Sequence, residues 1–597
     1  MAGSYHRELE VATQAALAAG AMLRDEFHHP GGPRGGDGHA DVDDRAEASI
    51  HAALTHAFPE YGYRGEELGF KGEARDAGRH MWIVDPNDGT SDFLRGYRGA
   101  SVSIALVRGG VPVLGVVYAY SAPDDAGDLI AWAEGCGPVR RNGIEVSRSW
   151  PSRPSETCTV LLSVYADERM EANIRTIAPM RFRGAPSIAY RLALIAVGDA
   201  DATAALNSPS SWDFAAGHAL LMGSGGLFIG ARGRAISYDD TGMARCGGAI
   251  FGGAESLVTD LAECDWRGVM AAHRSRKLPF CRPAKTKPSR DAGVVSRAQG
   301  AWIGQLAGDS LGSLVEFLTP EEIQARYPGG LSRLETGGVW GTLAGQATDD
   351  SEMALALARC LVKTERYDAA AVREAYVAWL GSEPYDIGST TRGSLSTGVA
   401  NTTSQANGSL MRVSPIGIAF GPDAAFAAAY EDAGLTHAHP VCRQATAVYA
   451  YALSFAIRSG PAPEQVYAHA KGVASHPALI ESLDRAKDAA PADFVKNQGW
   501  VLTAFENAFY QLLHAKSVEA ALSDTVKRGG DTDTNAAIAG ALLGAVHGLR
   551  SMPHQWVDRI ATCRPLAGIP GVNRPRPMEY WPIDALSLAE RLLALGV

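Results

Sequence analysis

Two domains of different class are expected: a layered α/β domain followed by an almost all-α domain. Three observations predict this. The chain has 597 residues, whereas a single hydrophobic core stops growing at roughly 250–300 residues. Helical and strand signals are mixed between residues 5 and 270. Beyond the segment Arg282-Pro283-Ala284-Lys285-Thr286-Lys287-Pro288-Ser289-Arg290, strand-like runs nearly vanish and helical periodicity takes over. That segment is basic, contains proline and lacks large apolar residues, so it is the best linker in the chain. The boundaries fall at 1–281, a linker at 282–292, and 293–597.

In chain order, Glu8–Phe27 and Arg45–Phe58 read as helices; the second carries Ile50, Leu54 and Phe58 four residues apart. Met81–Asp85 and Ala100–Val107 read as strands. Val111–Tyr120, rich in β-branched residues, pairs with the latter through Arg108-Gly109-Gly110. In the second half, helices are expected over Ser296–Leu311, Ser351–Thr364, Ala369–Leu380, Gln444–Ile457, Trp500–Leu513 and Asn535–Leu549. No fixed-period repeat interrupts this order.

Composition narrows the function classes. Apolar residues at 46% and charged residues at 20% suit a globular protein with two cores. A net charge of -11 argues against nucleic-acid binding through phosphate neutralisation. The eight cysteines are scattered without a C-x-x-C pair, which argues against a zinc site or a disulfide framework and for a reducing cytoplasm. Met1–Glu10 has no signal-peptide pattern, and the Ala-rich stretch Val11–Leu23 is too short to span a bilayer. Thr534–Leu549 is longer, but Asn535 and His547 mark it as a core helix, so no membrane association is expected.

The sharpest local string is Trp82-Ile83-Val84-Asp85-Pro86-Asn87-Asp88-Gly89-Thr90. An apolar strand runs into two aspartates three apart, with proline fixing φ and glycine permitting a tight turn. Alone this is an Asp-rich turn. Further acids change the balance: Gly65-Glu66-Glu67 and Asp43-Asp44 upstream, and Trp212-Asp213-Phe214-Ala215-Ala216-Gly217 downstream. Carboxylates about 4 Å apart repel by roughly 4 kcal/mol at an effective dielectric near 20. If they share a pocket they need divalent cations, and hard oxygen ligands select Mg²⁺ or a similar ion.

Gly65-Glu66-Glu67, Asp85-Pro86-Asn87-Asp88-Gly89-Thr90 and Trp212-Asp213-x-Ala215-Ala216-Gly217, in this order, resemble the motifs of the inositol monophosphatase family across residues 5–265. The resemblance implies an αβαβα sandwich and a Mg²⁺-dependent, Li⁺-sensitive phosphomonoesterase with two or more ions, acting on a small-molecule phosphate ester. It implies Glu66, Asp85, Asp88, Asp213 and the carbonyl of Asn87 as metal ligands. Thr90 would orient the attacking water with Asp43, or with Asp44 by a shift of one residue. A metal lowers the pKa of bound water from 15.7 towards about 7. Arg183-Gly184-Ala185-Pro186-Ser187 resembles the substrate-side loop, with Ser187 as a substrate contact, and also fits an ordinary turn. Two departures put inositol phosphate in doubt: Ala40 stands where threonine is common, and Pro30–Asp41 contains no lysine. Asp92-Phe93 is also compatible with the bisphosphate-nucleotidase branch.

The second half opens with Gly300, Gly304, Gly308 and Gly312, small residues four apart that let helices pack closely, and leads to Glu316. Thr348-Asp349-Asp350-Ser351 then precedes an apolar helix, where it also reads as an N-cap with acids at the positive helix end. Gly529-Gly530-Asp531-Thr532-Asp533-Thr534-Asn535 precedes another. An EF-hand fails there, because Ala536 takes the glycine place and Leu542 that of the bidentate Glu.

With Gly308-Asp309-x-x-Gly312-x-x-x-Glu316, Asn407-Gly408-Ser409-Leu410-Met411-Arg412 and Thr436-His437-x-x-Pro440, these strings closely resemble the ADP-ribosylglycohydrolase family across residues 293–595. The resemblance implies an all-α fold holding two Mg²⁺ or Mn²⁺ ions through Thr348, Asp349, Asp350, Asp531, Asp533 and Thr534. Glu316 or the Asp349–Asp350 pair would manage protons and water. Asn407, Gly408, Ser409 and His437 would contact ADP-ribose or an ADP-ribosylated substrate. Three readings remain: a bifunctional hydrolase, a chain with one live activity, and a catalytically dead sensor. The last predicts lost ligand acids, yet both carboxylate sets are present.

Overall fold

The apolar run ahead of Asp85 is the strand His80–Asp88, second in a seven-stranded sheet. It pairs parallel with Gly62–Gly65 and antiparallel with Ser101–Arg108, which turns through Gly109-Gly110 into Val111–Ala119. Strand alternation divides the core. Trp82 and Val84 pack with Ala19, Leu23, Ile50 and Leu54, from the helices His6–Phe27 and Asp43–Ala57. Met81 and Ile83 face the opposite way, against residues of Ile188–Ala196 and Ser211–Ser224. Those two helices also touch a five-stranded sheet ordered Arg181–Gly184, Thr159–Leu162, Ala202–Ala205, Ile250–Gly253, Leu227–Gly230. The helix Glu255–Glu263 packs on that sheet as well, giving the αβαβα layering.

The computed structural model describes residues 4–244, 246–275 and 277–596. The chain divides into two compact units: one runs to Leu278 and includes Ala284–Arg290, and the other comprises Pro279–Pro283 and the chain from Asp291 onward. The basic segment is therefore not a free tether. Lys287 donates to the Gly96 carbonyl and Arg290 to that of His28. Cys281 N–H donates to Asp584 at 2.5 Å.

From Asp291 onward the described elements are all helical, joined by loops with a few isolated bridges. The six expected helices form, most of them starting a few residues earlier than apolar periodicity shows, because polar caps precede it: Asp291 accepts from Gly293 and Val294, and His439 from Val441. At the centre, Ala292–Gly312 lies against Thr532–His547. The small-residue stripe is what permits this. A Cβ on Gly304 would stand 2.1 Å from the Gly540 carbonyl oxygen, and one on Gly308 would stand 2.1 Å from that of Ala536. One on Gly312 would stand 2.4 Å from Asp533 Cα, so the stripe brings the first helix right up to the acid motif. All three obstacles are backbone, which cannot rotate away. Gly304→Val is therefore expected to destabilise this unit by about 3 kcal/mol or more, read as a lower denaturation midpoint. An unchanged midpoint would show that the helices can separate freely.

Candidate functional site

In the first unit a strand irregularity assembles the acids. Asp85 pairs with Ser103 and Asp88 with Ser101, so the register shifts across Pro86-Asn87. Residues three apart would ordinarily face opposite sides of a strand. Here their partners are two apart, and both carboxylates emerge on one side. Asp213 joins them from the first turn of Ser211–Ser224, where it completes a capping box with Ser210. Carboxylate oxygens of Asp85, Asp88 and Asp213 lie within 4.8 Å of one another. Burial pushes Asp85 and Asp213 well above the usual carboxylate range and Asp88 up to about 6. Glu66 follows the neighbouring strand, its backbone N–H on the Val84 carbonyl at 3.1 Å, and it is more exposed than the other three.

Asp43 is buried while Asp44 is exposed. Asp43 accepts from Ala40 N–H and the Asn87 side chain, both at 3.0 Å, and from the Thr90 hydroxyl at 3.4 Å. Thr90 also donates to the Asn87 carbonyl at 2.8 Å. Ser187, expected on the substrate side, is fully buried and donates to Asp88 at 2.5 Å, while Ala189 N–H donates to the same oxygen at 2.6 Å. It is also the N-cap of Ile188–Ala196, where its hydroxyl accepts from Tyr190 N–H at 2.8 Å. The fully buried Arg191 sets a positive charge near Asp88 and Asp213.

In the second unit, Glu316, Asp531 and Asp533 bring carboxylate oxygens within 4.8 Å of one another, all buried. Thr348 caps the helix Asp349–Thr364. Asp309 fastens that start: it accepts from Thr348 N–H at 3.1 Å, the Thr348 hydroxyl at 2.9 Å and Ser351 N–H at 3.1 Å. Asn407 donates to Asp531 at 2.7 Å. The Trp340 indole N–H donates to Glu316. Burial pushes Glu316 up to about 8. Asp350 Oδ1 and Asp533 Oδ2 are buried and find no hydrogen-bond partner among the described residues. Orphaned carboxylate oxygens of that kind are costly unless a cation takes them. Thr534 stands in the first turn of the second helix beside Asp533, with its N–H on Asp533 Oδ1 at 2.9 Å.

Gly408 lies against His437: a Cβ there would come within 3.1 Å of His437 Nε2. Ser409 is buried with its hydroxyl 3.0 Å from that of Thr446. One acid was missed. Asp386 sits close enough to Asp349 and Glu316 to feel both charges, and its carboxyl is pushed up to about 7, chiefly by burial. It follows Tyr385 in a loop without helical or strand pattern, so no sequence signal marks it. A further group, His39, Asp44 and Glu67, gathers at the partly exposed rim of the first unit.

A family model described as inositol monophosphatase family matches residues 5–261, and one described as ADP-ribosylglycohydrolase matches residues 290–593. The chain is 31% identical to the ADP-ribosyl-[dinitrogen reductase] glycohydrolase of Rhodospirillum rubrum, over 45% of this chain and 91% of that protein. It is 33% identical to the Nus factor SuhB of Xylella fastidiosa, over 35% of this chain and 74% of the relative. It is 30% identical to the 3'(2'),5'-bisphosphate nucleotidase CysQ of Salmonella typhimurium, over 33% of this chain and 78% of the relative.

Proposed function

The chain belongs to the inositol monophosphatase family over residues 5–261 and to the ADP-ribosylglycohydrolase family over residues 290–593, and on that premise we propose that it is a bifunctional metal-dependent hydrolase. The first activity is phosphomonoester hydrolysis; the second removes ADP-ribose from a protein or small-molecule acceptor. The observation that carries the reading is that each unit gathers three carboxylates within 4.8 Å. In the second unit this is joined by the two orphaned oxygens of Asp350 and Asp533. Donor sets of hard oxygens fit Mg²⁺ or Mn²⁺.

In the first unit Glu66, Asp85, Asp88, Asp213 and the Asn87 carbonyl would hold two or more Mg²⁺ ions. Bound metal supplies an acidified water and neutralises phosphate charge. The Thr90 hydroxyl proton is shared between the Asn87 carbonyl and Asp43, so the Thr90 oxygen would be left to accept from the attacking water and aim it at phosphorus. In the second unit Thr348, Asp349, Asp350, Asp531, Asp533 and Thr534 would hold two ions. Glu316, Asp349 or Asp350 takes the proton of the water that attacks the ribosyl carbon, and the acceptor leaves with a proton. Asn407, Gly408, Ser409 and His437 hold the ADP-ribose.

The domain boundaries belong to the same reading. A cut between Arg290 and Asp291 keeps Ala284–Arg290 with its unit and displaces only Pro279–Pro283, so two active fragments are expected; aggregation of both would count against it. No helix of the described residues is long and apolar enough to cross a membrane. The eight free cysteines support a cytoplasmic setting.

The test is a substrate screen of the purified full chain with Mg²⁺. It should span inositol phosphates, phosphoadenosine phosphate, phosphorylated ADP-ribose, and Arg- and Ser-linked ADP-ribose. Phosphate release from one and ADP-ribose release from another is expected. ADP-ribose release alone favours the second reading, in which the first unit is a scaffold or phosphonucleotide-binding module. That reading draws on Ala40 and on the lack of lysine in Pro30–Asp41. If both activities favour a phosphorylated ADP-ribosyl compound, the two domains share a pathway; if the phosphatase ignores every ribose phosphate, they do not.

A further inference from the structure

We propose that Arg412 and Thr436 lock His437 in the tautomer that carries its proton on Nε2, so that the imidazole meets its ligand as a hydrogen-bond donor. Only the identity of the ligand rests on the ADP-ribose reading above.

The argument is a count of donors. Arg412 is fully buried, and a guanidinium can only donate. Its Nε bonds Asp432 Oδ2 at 3.0 Å, Nη2 bonds the Asp432 carbonyl at 3.0 Å, and Nη1 bonds the Gly408 carbonyl at 3.2 Å. Nη1 also bonds Thr436 Oγ1 at 2.9 Å, so that oxygen is an acceptor there. The same oxygen lies 2.8 Å from His437 Nδ1. If Nδ1 carried a proton, the Thr436 oxygen would face two donors and its own proton would have no acceptor. Thr436 is fully buried, so water cannot supply one. The Thr436 hydroxyl therefore donates to Nδ1, and the neutral ring holds its proton on Nε2.

Further contacts brace this relay. Tyr376 donates to Asp432 at 2.9 Å and lies under the Arg412 guanidinium. The Thr436 carbonyl accepts from Asn401 N–H and the Ser394 hydroxyl, both at 2.9 Å. Burial, with the Arg412 charge second, pushes His437 down to about 3, which keeps the ring neutral. Nε2 lies beside Gly408, where a Cβ would come within 3.1 Å of it. A ring fixed this way cannot take a proton at Nε2. It suits an acceptor oxygen of the ligand, a ribose hydroxyl or diphosphate oxygen, and leaves proton transfer to the carboxylates. Thr436 and Arg412 are positioning residues in this arrangement.

Nitrogen-15 histidine labelling of the full chain tests it by proton–nitrogen NMR, with the His437 signals identified by their loss in His437→Gln. Protonated Nε2 and bare Nδ1 are expected in the native chain and in Thr436→Ser. Thr436→Val keeps the shape but removes the donor, and the single-tautomer pattern should be lost. Calorimetric titration with ADP-ribose and Mg²⁺ should show binding weakened about threefold to tenfold in Thr436→Val and nearly native in Thr436→Ser, as for one hydrogen bond. A proton on Nδ1 in the native chain, or an unaltered tautomer and affinity in Thr436→Val, overturns the proposal. If the tautomer pattern is as expected but the native chain binds no ADP-ribose, the relay stands and the assignment of the ligand falls.

Discussion

Replacing Asp531 with Asn is expected to lower ADP-ribose release by more than about a hundredfold, since even outer-shell partners of a metal site cost 10–100-fold, while leaving the metal-free fold intact. The local geometry explains the second half of that statement. Asp531 accepts a hydrogen bond from Asn407 at 2.7 Å. An amide oxygen can keep it, and the new amide N–H groups then face Glu316 and Asp533. Three acids held within 4.8 Å of one another repel by about 3 kcal/mol per charged pair at an effective dielectric of 20. Neutralising one should therefore hold or raise the melting temperature in EDTA and abolish the stabilisation that Mg²⁺ confers on the native chain. Asp350→Asn is expected to behave likewise. A helix-cap role makes the opposite forecast: lower stability in both conditions and turnover nearly unchanged.

The same cluster fixes a pH dependence for the EDTA-treated chain. Glu316 is pushed from its usual 4.5 up to about 8. Between those values the folded chain binds more protons than the unfolded one, so stability falls as pH rises through that window. Mg²⁺ should flatten the fall, because bound metal replaces the protons. A metal-free chain that gains stability from pH 5 to 8 would contradict this placement of Glu316.

The acids were legible in sequence wherever they sat at a strand end or a helix start, because apolar patterning ends at Asp85 and begins just after Thr348 and Asp531. The longer helices were legible for the same reason. The five-stranded sheet was not: Ala202–Ala205 and Ile250–Gly253 are four residues long, rich in alanine or glycine, and carry no alternation. Asp386 was illegible because a loop has no period. The Ser187–Asp88 contact was illegible because nothing local reveals that this hydroxyl meets a carboxylate 99 residues away. The choice between Asp43 and Asp44 lay within one residue on a helix. The structure puts Asp43 against Thr90 and leaves Asp44 exposed, a separation that neither composition nor spacing contains.

Asp88→Asn is the corresponding prediction for the first unit. The amide oxygen can go on accepting from Ser187 and Ala189, so folding should survive while one ligand charge is lost. Phosphate release should fall by more than about a hundredfold, by the same comparison with outer-shell losses. ADP-ribose release by the same chain should stay near native, because the substitution lies in the other unit. Asp44→Asn serves as the control and should leave phosphate release unchanged, whereas Asp43→Asn should impair it. Ser187→Ala then separates two roles for that hydroxyl. If it holds Asp88 from behind, its loss raises the Mg²⁺ concentration needed for half-maximal phosphate release about 10–100-fold and leaves the substrate KM at saturating Mg²⁺ nearly unaltered. If it contacts substrate, the pattern inverts: KM rises and the Mg²⁺ requirement does not. Because Ser187 is fully buried with its hydroxyl on the acid, the first pattern is expected. Phosphate release by the native chain that is equal with and without EDTA would remove the metal from this unit altogether, and with it the reason for three carboxylates to meet there.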